Sequence, residues 1–473
     1  MPASHWAWGS VFYHLYPLGL CNAPERNDFT ASPQPRLEVL FEWLEHAQRL
    51  GANALYLGPV FESSTHGYDT ADYLVVDRRL GRNEDLARFC KAARAAGVRV
   101  IFDAVFNHVG RDFWAFKDLL LRGKDSDYAD WFRGIDFDGR SPFGDPFAYR
   151  GWNGHFNLVQ LDVTNPAVKE YLFAAVSRWV EEFGIDGVRL DAADCIDIDF
   201  LRELATFCRR AWPGFWLLGE IIHGDYRHWA NPSTLDSVTN YECCKGLYSS
   251  HVDDNYFEIA YSLNRQFGPE GIYRGLPLYN FADNHDVDRV ASSLKAPEDL
   301  GTLYCLLFTM PGIPSIYYGS EWGVTGVKDG SDRPLRPALD LQAAARESPN
   351  AWLADVVGRC AAIRRRSPAL QEGDYAQLHV AARQIAFLRR CPSESVLVVI
   401  NAGPHLLSLE CRLPSPVDGP LFDLLEPGTS FVTSGDRVRV ENVPAHWARI
   451  LSTRTPRVAA NGAPHFLFKD WRW

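Results

Sequence analysis

The sequence predicts an α/β fold: a (β/α)8 TIM barrel with a small domain inserted after strand 3 and a C-terminal antiparallel β domain. Three observations carry this. Short β-branched or aromatic runs alternate with helical stretches through the first three-quarters of the chain, the pattern of parallel strands joined by helical crossovers. The ends of those runs recur at the spacing of a closed barrel, which spends about 31 residues on each strand–helix unit. After about Tyr375 the texture changes to short strands separated by turns, with few helical signals.

The elements follow in order. Residues 11–16 read as the first strand, with a helix over about 36–50. The strand Ala54–Leu57, a helix over about 83–96 and a strand at 98–102 come next. From the strand end at Asp191 to the next at Glu220 is 29 residues, one unit. From Glu220 to Asp286 is 66 residues, two units, with 237–240 as the strand between, and Asp286 to Tyr318 adds 32. That makes eight strands. The interval from Asp103 to Asp191 is 88 residues, roughly 50 more than one unit needs. The excess, 109–161, is rich in Gly, Asp and aromatics and reads as an inserted domain over the C-terminal barrel face, where active sites of this architecture lie.

The expected domains are therefore 1–108 with 162–375 as barrel, 109–161 as insertion, and 376–473 as a C-terminal β-sandwich. In the last, 385–388, 396–400 and 438–440 read as strands. The aromatics Phe113, Trp114, Trp131, Phe132, Phe143, Phe147, Tyr149 and Trp152 read chiefly as the small core of the insertion, with some free to line a binding site. The closing 466–473 reads as a segment docked on another domain.

Composition bounds the function. Lys plus Arg is 48 against 59 Asp plus Glu, a net charge of −11, which argues against nucleic acid or an anionic membrane as partner. Neutral polar substrates stay open. No stretch approaches the ~18 consecutive apolar residues of a membrane span, and the N-terminus shows no basic segment followed by an apolar run. Ten cysteines are scattered without a C-x-x-C, which reads as buried reduced thiols and a cytoplasmic setting. Oligomeric state is not legible.

Four predicted strand ends hold carboxylates: Asp103, Asp191, Glu220 and Asp286. Any one alone could cap the following helix; four in apolar strands form a pattern. Arg189 and Asp191 stand two apart on one strand and so face the same way. An Arg beside a carboxylate depresses its pKa, so Asp191 is expected to be held ionised, as a nucleophile needs. Glu220 ends the adjacent strand, about 4.7–4.9 Å away. That suits the ~5–5.5 Å carboxyl separation of retaining glycosidases rather than the wider gap of inverting ones.

The segments Asp103-Ala104-Val105-Phe106-Asn107-His108, Gly187-Val188-Arg189-Leu190-Asp191-Ala192-Ala193, Gly219-Glu220 and Asp283-Asn284-His285-Asp286 resemble the four motifs of the α-amylase family of glycoside hydrolases (family 13). They occur in the family's order, on strands three, four, five and seven, and the resemblance covers nearly the whole chain. It implies Asp191 as nucleophile, Glu220 as general acid/base and Asp286 as the residue gripping the sugar's 2- and 3-hydroxyls. Arg189 would orient Asp191, His108 and His285 would hydrogen-bond sugar hydroxyls, and Asp103 would position His108 and Arg189. Tyr68 and Asp69, in His66-Gly67-Tyr68-Asp69, match the loop whose tyrosine stacks on sugar. Asp332 and Arg336 resemble the family's sugar clamp, although a surface ion pair reads equally well.

Departures from the family pattern matter as well. After Asp191-Ala192-Ala193 starch amylases usually continue Lys-His, where the His carbonyl binds calcium; this chain has Asp194-Cys195. Asn107, another usual ligand, is present, so calcium stays open while its donor set is incomplete, and no metal ligand is assigned. Glu220-Ile221-Ile222-His223 resembles the Glu-Ile-Trp-His stretch of cyclomaltodextrinases and neopullulanases, adding His223 as a substrate-binding candidate. Those relatives carry an extra N-terminal domain, for which this sequence leaves no room. The segment 158–162 matches no specificity signature. The resemblance thus implies an oligosaccharide substrate, no required organic cofactor, and an intracellular retaining α-glucan hydrolase acting on maltooligosaccharides or cyclodextrins at α-1,4 bonds. Its rivals are a transglycosylase or sugar isomerase of the same family, and a non-catalytic scaffold, which would lack the three carboxylates kept here.

Overall fold

The computed structural model describes residues 5–455; the closing 466–473, expected to dock on another domain, lies outside them. Eight parallel strands form the first sheet: β1 (Phe12–Leu15), β2 (Ala54–Leu57), β3 (Arg99–Ala104), β4 (Gly187–Leu190), β5 (Trp216–Gly219), β6 (Ser237–Val238), β7 (Tyr279–Phe281) and β8 (Ile313–Tyr317). They pair in chain order, and β8 returns to β1 with Phe12 opposite Ser315. A single parallel bridge between Thr239 and Tyr279 joins β6 to β7 and closes the barrel.

Alternation along the strands explains how the barrel is filled. Phe12, Ala54, Tyr56, Ile101, Trp216, Leu218, Tyr279, Phe281 and Ile313 form one buried cluster, and the repeated two-residue steps within it are the inward positions. Phe12 stacks on Trp216 with ring centroids 5.1 Å apart, and Trp6 packs against both. Continuing each strand by the same step turns the lining polar: His14 on β1, Asp103 on β3, Arg189 on β4. The next step beyond β5 is Glu220. The intervening outward residues meet the helices. Val39–Arg49, for example, buries Leu40, Trp43, Leu44 and Ala47 on one face. The helix Pro166–Phe183 starts on an Asn165 side chain that accepts from the Ala167 N–H, with Pro at its first position, and stops at Gly184 in the left-handed region, φ 63°. Each of these is a recognised start or stop signal.

Between β3 and β4, the short strands His108–Gly110, Gly151–Trp152 and His155–Gln160 make a separate antiparallel sheet. Phe113, Trp131, Phe132, Phe147 and Tyr149 are buried there, as expected of a small core. Phe143 is exposed, and Trp152 instead stacks on His108 at 5.2 Å. After the barrel, from Asp374 on, the chain forms two antiparallel sheets of six and three strands. All ten cysteines are unbonded and eight are buried. Among the described residues no helix is long and apolar enough to cross a membrane.

Candidate active site

The site is organised around one buried cation. Asp103 and Arg189 are register partners on β3 and β4, and Leu190 and Gly219 are partners on β4 and β5. Asp191 and Glu220, one step beyond, therefore end adjacent strands side by side. Arg189 Nη1 donates to Asp103 Oδ1 and Asp191 Oδ1, both at 2.9 Å, and its Nη2 lies 2.7 Å from Glu220 Oε1. The phenols of Tyr56 and Tyr68 both donate to Asp103 Oδ2, at 2.5 and 2.8 Å. Asp103 thus anchors Arg189; His108, the second partner expected for it, is held instead by Asn107 Nδ2 at its Nδ1 (3.1 Å) and by the Trp152 ring.

Glu220 is fixed from two further sides. Its Oε2 accepts from the Ala192 N–H at 3.0 Å, and its Oε1 accepts from the Tyr241 hydroxyl at 3.3 Å. Ala192 has φ 44°, ψ 45°, a left-handed conformation that L-residues with a side chain adopt at a cost. That strain turns the N–H after Asp191 toward Glu220.

The third carboxylate arrives differently from the sequence expectation. β7 stops at Phe281, so Asp286 lies in the loop beyond rather than at a strand end. Asn284 shapes that loop by accepting from the Asp286 and Val287 N–H groups. Asp286 Oδ2 is 2.9 Å from His285 Nε2, and Oδ1 is 2.9 Å from Arg336 Nη2, which also holds Asp332 at 3.1 Å. Arg336 Nε donates to the His285 carbonyl. Tyr68 hydrogen-bonds His285 and lies parallel to it, rings 5.4 Å apart at 8°.

The electrostatics follow from burial and from how few cations serve the cluster. Burial pushes the Asp191 carboxyl well above the usual carboxylate value; Arg189 pulls against this, while Glu220 adds to the rise. Glu220 is likewise raised by burial, with Arg189 opposing. This corrects the expectation that Arg189 leaves Asp191 depressed: one guanidinium shared by three carboxylates does not offset their removal from water. Burial also works against ionised Asp286, yet His285 and Arg336 together hold it well below the ordinary range. His108 is lowered by burial to about 3. Its Nε2 is buried without a partner, 3.9 Å from Asp191 Oδ2.

The catalytic domain of the α-amylase family matches residues 36–359. The chain belongs to the α-amylase family. It is 33% identical over 422 residues to neopullulanase 2 of Thermoactinomyces vulgaris, covering 84% of this chain and 70% of that one. A cyclomaltodextrinase of a Bacillus species is 31% identical over 440 residues, covering 88% and 77%. Among solved structures, the cyclic α-maltosyl-(1→6)-maltose hydrolase of Arthrobacter globiformis superposes with a TM-score of 0.79 at 27% identity, covering 95% and 100%. The chain is thus a glycoside hydrolase, and the fold expected for the family is the fold observed.

Of the residues the family motifs single out, Asp191, Glu220, Asp286, Arg189, His108, His285, Tyr68, Asp332 and Arg336 converge in one cluster. Asp69 does not join it. Its carboxylate accepts from the Thr65 N–H and hydroxyl, at 3.1 and 2.5 Å, and so shapes the loop that presents Tyr68. His223 is exposed on the rim. Asn107 turns its carbonyl oxygen to Gln160 at 3.4 Å and its nitrogen to His108; this arrangement does not fit a calcium donor set, and no step below passes through a metal. Sequence reasoning missed Tyr16, Tyr56, Tyr241 and Ala192. Strand alternation offered a signal for Tyr56, two residues after inward Ala54. Tyr16, whose hydroxyl accepts from Arg336 Nη1 at 3.3 Å, had none.

Proposed function

We propose that this family member is a retaining α-glucan hydrolase that cleaves α-1,4-glucosidic bonds of maltooligosaccharides or cyclodextrins by double displacement. The observation that carries the reading is the clamping of Asp191 and Glu220 by the two terminal nitrogens of Arg189, from adjacent positions on neighbouring strands. That geometry favours the short gap, about 5–5.5 Å, in which one carboxylate attacks directly. The names of the cyclomaltodextrinase and neopullulanase relatives support an α-glucan substrate.

Asp191 Oδ1 is committed to Arg189, which leaves Oδ2 to attack the anomeric carbon. The C–O bond to the leaving sugar breaks as Glu220 gives that oxygen its proton, so a β-glycosyl ester on Asp191 forms with inversion. Glu220, now ionised, takes a proton from water, the hydroxide attacks the anomeric carbon, and Asp191 is released. Two carboxyls this close titrate as a pair, both raised by burial; the reaction uses the form in which Glu220 carries the proton and Asp191 is ionised. Asp286, held ionised by His285 and Arg336, suits the 2- and 3-hydroxyls. The unpartnered His108 Nε2 suits a hydroxyl of the same ring.

The test is a chromatographic time course with maltotetraose, following all sugars. Shorter sugars alone from the earliest times support hydrolysis. Sugars longer than the substrate, or isomers of unchanged size, would mean that a sugar hydroxyl outcompetes water and would replace this reading with a transferase or isomerase.

A further inference from the structure

A cavity of about 720 Å³ is lined by Ile222 and His223, just after Glu220, and by residues of two helices, Tyr241–Val252 and Tyr256–Phe267. Its inner end is made by Tyr241, whose hydroxyl bonds Glu220, and by Val287 and Asp288 directly after Asp286. Its outer end is lined by Tyr248 on the first helix and Tyr261 on the second. Lys245 and Glu258 bridge the two helices at 3.3 Å between them. Tyr261 is 69% exposed and Tyr248 36%. Neither ring is needed for the core: the same helices bury Cys243, Leu247, Ile259 and Leu263 on their opposite faces.

We infer that Tyr248 and Tyr261 form a stacking platform for the distal sugars of the leaving-group chain, so that this enzyme selects substrates extending several units beyond the cleaved bond. The inference rests on the hydrolase reading above, which gives Glu220 the leaving oxygen. The departing chain must then leave past Glu220, and the cavity is lined by Tyr241, which bonds Glu220, and by Ile222 and His223, two and three residues after it. Its chemistry is that of a sugar track. Apolar faces of pyranose rings lie on aromatic rings, while the Lys245 ammonium and the Glu258 and Asp288 carboxylates offer donors and acceptors to ring hydroxyls. The exposed rings share the cavity with Ile222 and with charged side chains, a mixed lining suited to hydroxylated rings.

The experiment compares Tyr248→Ala, Tyr261→Ala, the double variant and Tyr261→Trp with the wild-type enzyme. The readout is kcat/KM for maltoheptaose divided by kcat/KM for maltotriose, beside melting curves and sedimentation velocity. Losing a stacked ring is expected to lower that ratio about tenfold in the double variant, with Tyr261→Trp restoring the ratio. Equilibrium binding of maltoheptaose to Asp191→Asn should weaken in parallel when the tyrosines are removed. An unchanged ratio in folded, active variants overturns the platform alone. A changed sedimentation coefficient with an unchanged ratio overturns it in favour of contact between copies. A wild-type enzyme that hydrolyses neither sugar removes the hydrolase reading and the platform with it.

Discussion

Replacing Arg189 by Lys keeps the charge and removes the geometry. The guanidinium serves Asp103 and Asp191 through Nη1 and Glu220 through Nη2, with contacts of 2.7–2.9 Å. A single ammonium cannot span those three carboxylates, so at least one charge-assisted hydrogen bond is lost, worth about 1.5–3 kcal/mol. The functional effect has a definite sign. Burial raises both the Asp191 and Glu220 carboxyls, and Arg189 is the first force against it in each. Loosening Arg189 lets both rise further. Asp191 must be ionised for activity and Glu220 protonated, so the acid and alkaline limbs of the kcat/KM profile should both move to higher pH. A weakening of about 1.4 kcal/mol corresponds to about one pH unit. The assay is a pH–rate profile on Arg189→Lys beside thermal melting. A folded variant with both limbs unmoved would refute the claim that Arg189 sets the ionisation of the pair.

Four other outcomes follow from the same site. Asp191→Asn should abolish turnover without lowering the melting temperature at neutral pH. Because the buried Asp191 carboxyl is raised, the folded state keeps its proton above the unfolded value near 3.9, and stability declines as pH rises from there through the raised value; Asn removes that decline. A lower neutral-pH melting temperature would count against it, and residual activity free of wild type would remove Asp191 as nucleophile. Glu220→Gln should retain markedly more activity on activated aryl glycosides than on maltooligosaccharides, and equal losses would oppose its role as acid. His108, lowered by burial to about 3, binds its proton only in the unfolded chain between about pH 6.5 and 3; stability from this group is full above 6.5 and falls with pH. His108→Gln should flatten that dependence by about 1.4 kcal/mol per pH unit, and an unchanged slope in melting curves below pH 6 would contradict the buried neutral ring. Removing the Tyr248 and Tyr261 rings should erase the preference for long leaving groups.

What was legible in the sequence was what repeats. Strand spacing near 31 residues exposed the barrel because each unit must cross the same distance and return. The long interval before Asp191 exposed the insertion because a barrel has no use for the excess. The alternation Arg189–Asp191 put two polar groups on one face of β4, and the register of β4 against β5 brought Glu220 beside them. Asp286 was located in sequence but not in geometry. Its strand ends at Phe281, and the loop that carries it forward is closed by Asn284. That is a local side-chain turn, with no periodicity to reveal it.

The least legible features are those made by contacts between distant segments. Tyr241 reaches Glu220 only because β6 is two residues long and its helix starts at once, on an Asn240 side chain that caps Cys243. Asp69 reads like a ligand by its motif, yet the loop spends it on Thr65. The sign of the Asp191 shift was misread for the same reason. Sequence showed one Arg beside one Asp, and a pair suggests a depressed carboxyl. Folding adds Asp103 and Glu220 to the same guanidinium and takes all of them from water, which turns a pair into a deficit of positive charge. Asp286 escapes that deficit because it has its own cation, Arg336, and His285 as well. The allotment of two arginines thus sets Asp286, held low, apart from the Asp191–Glu220 pair, which shares Arg189 and is raised together. A compact site that must share a proton between two carboxyls can keep a third one charged beside them only by giving it cations of its own.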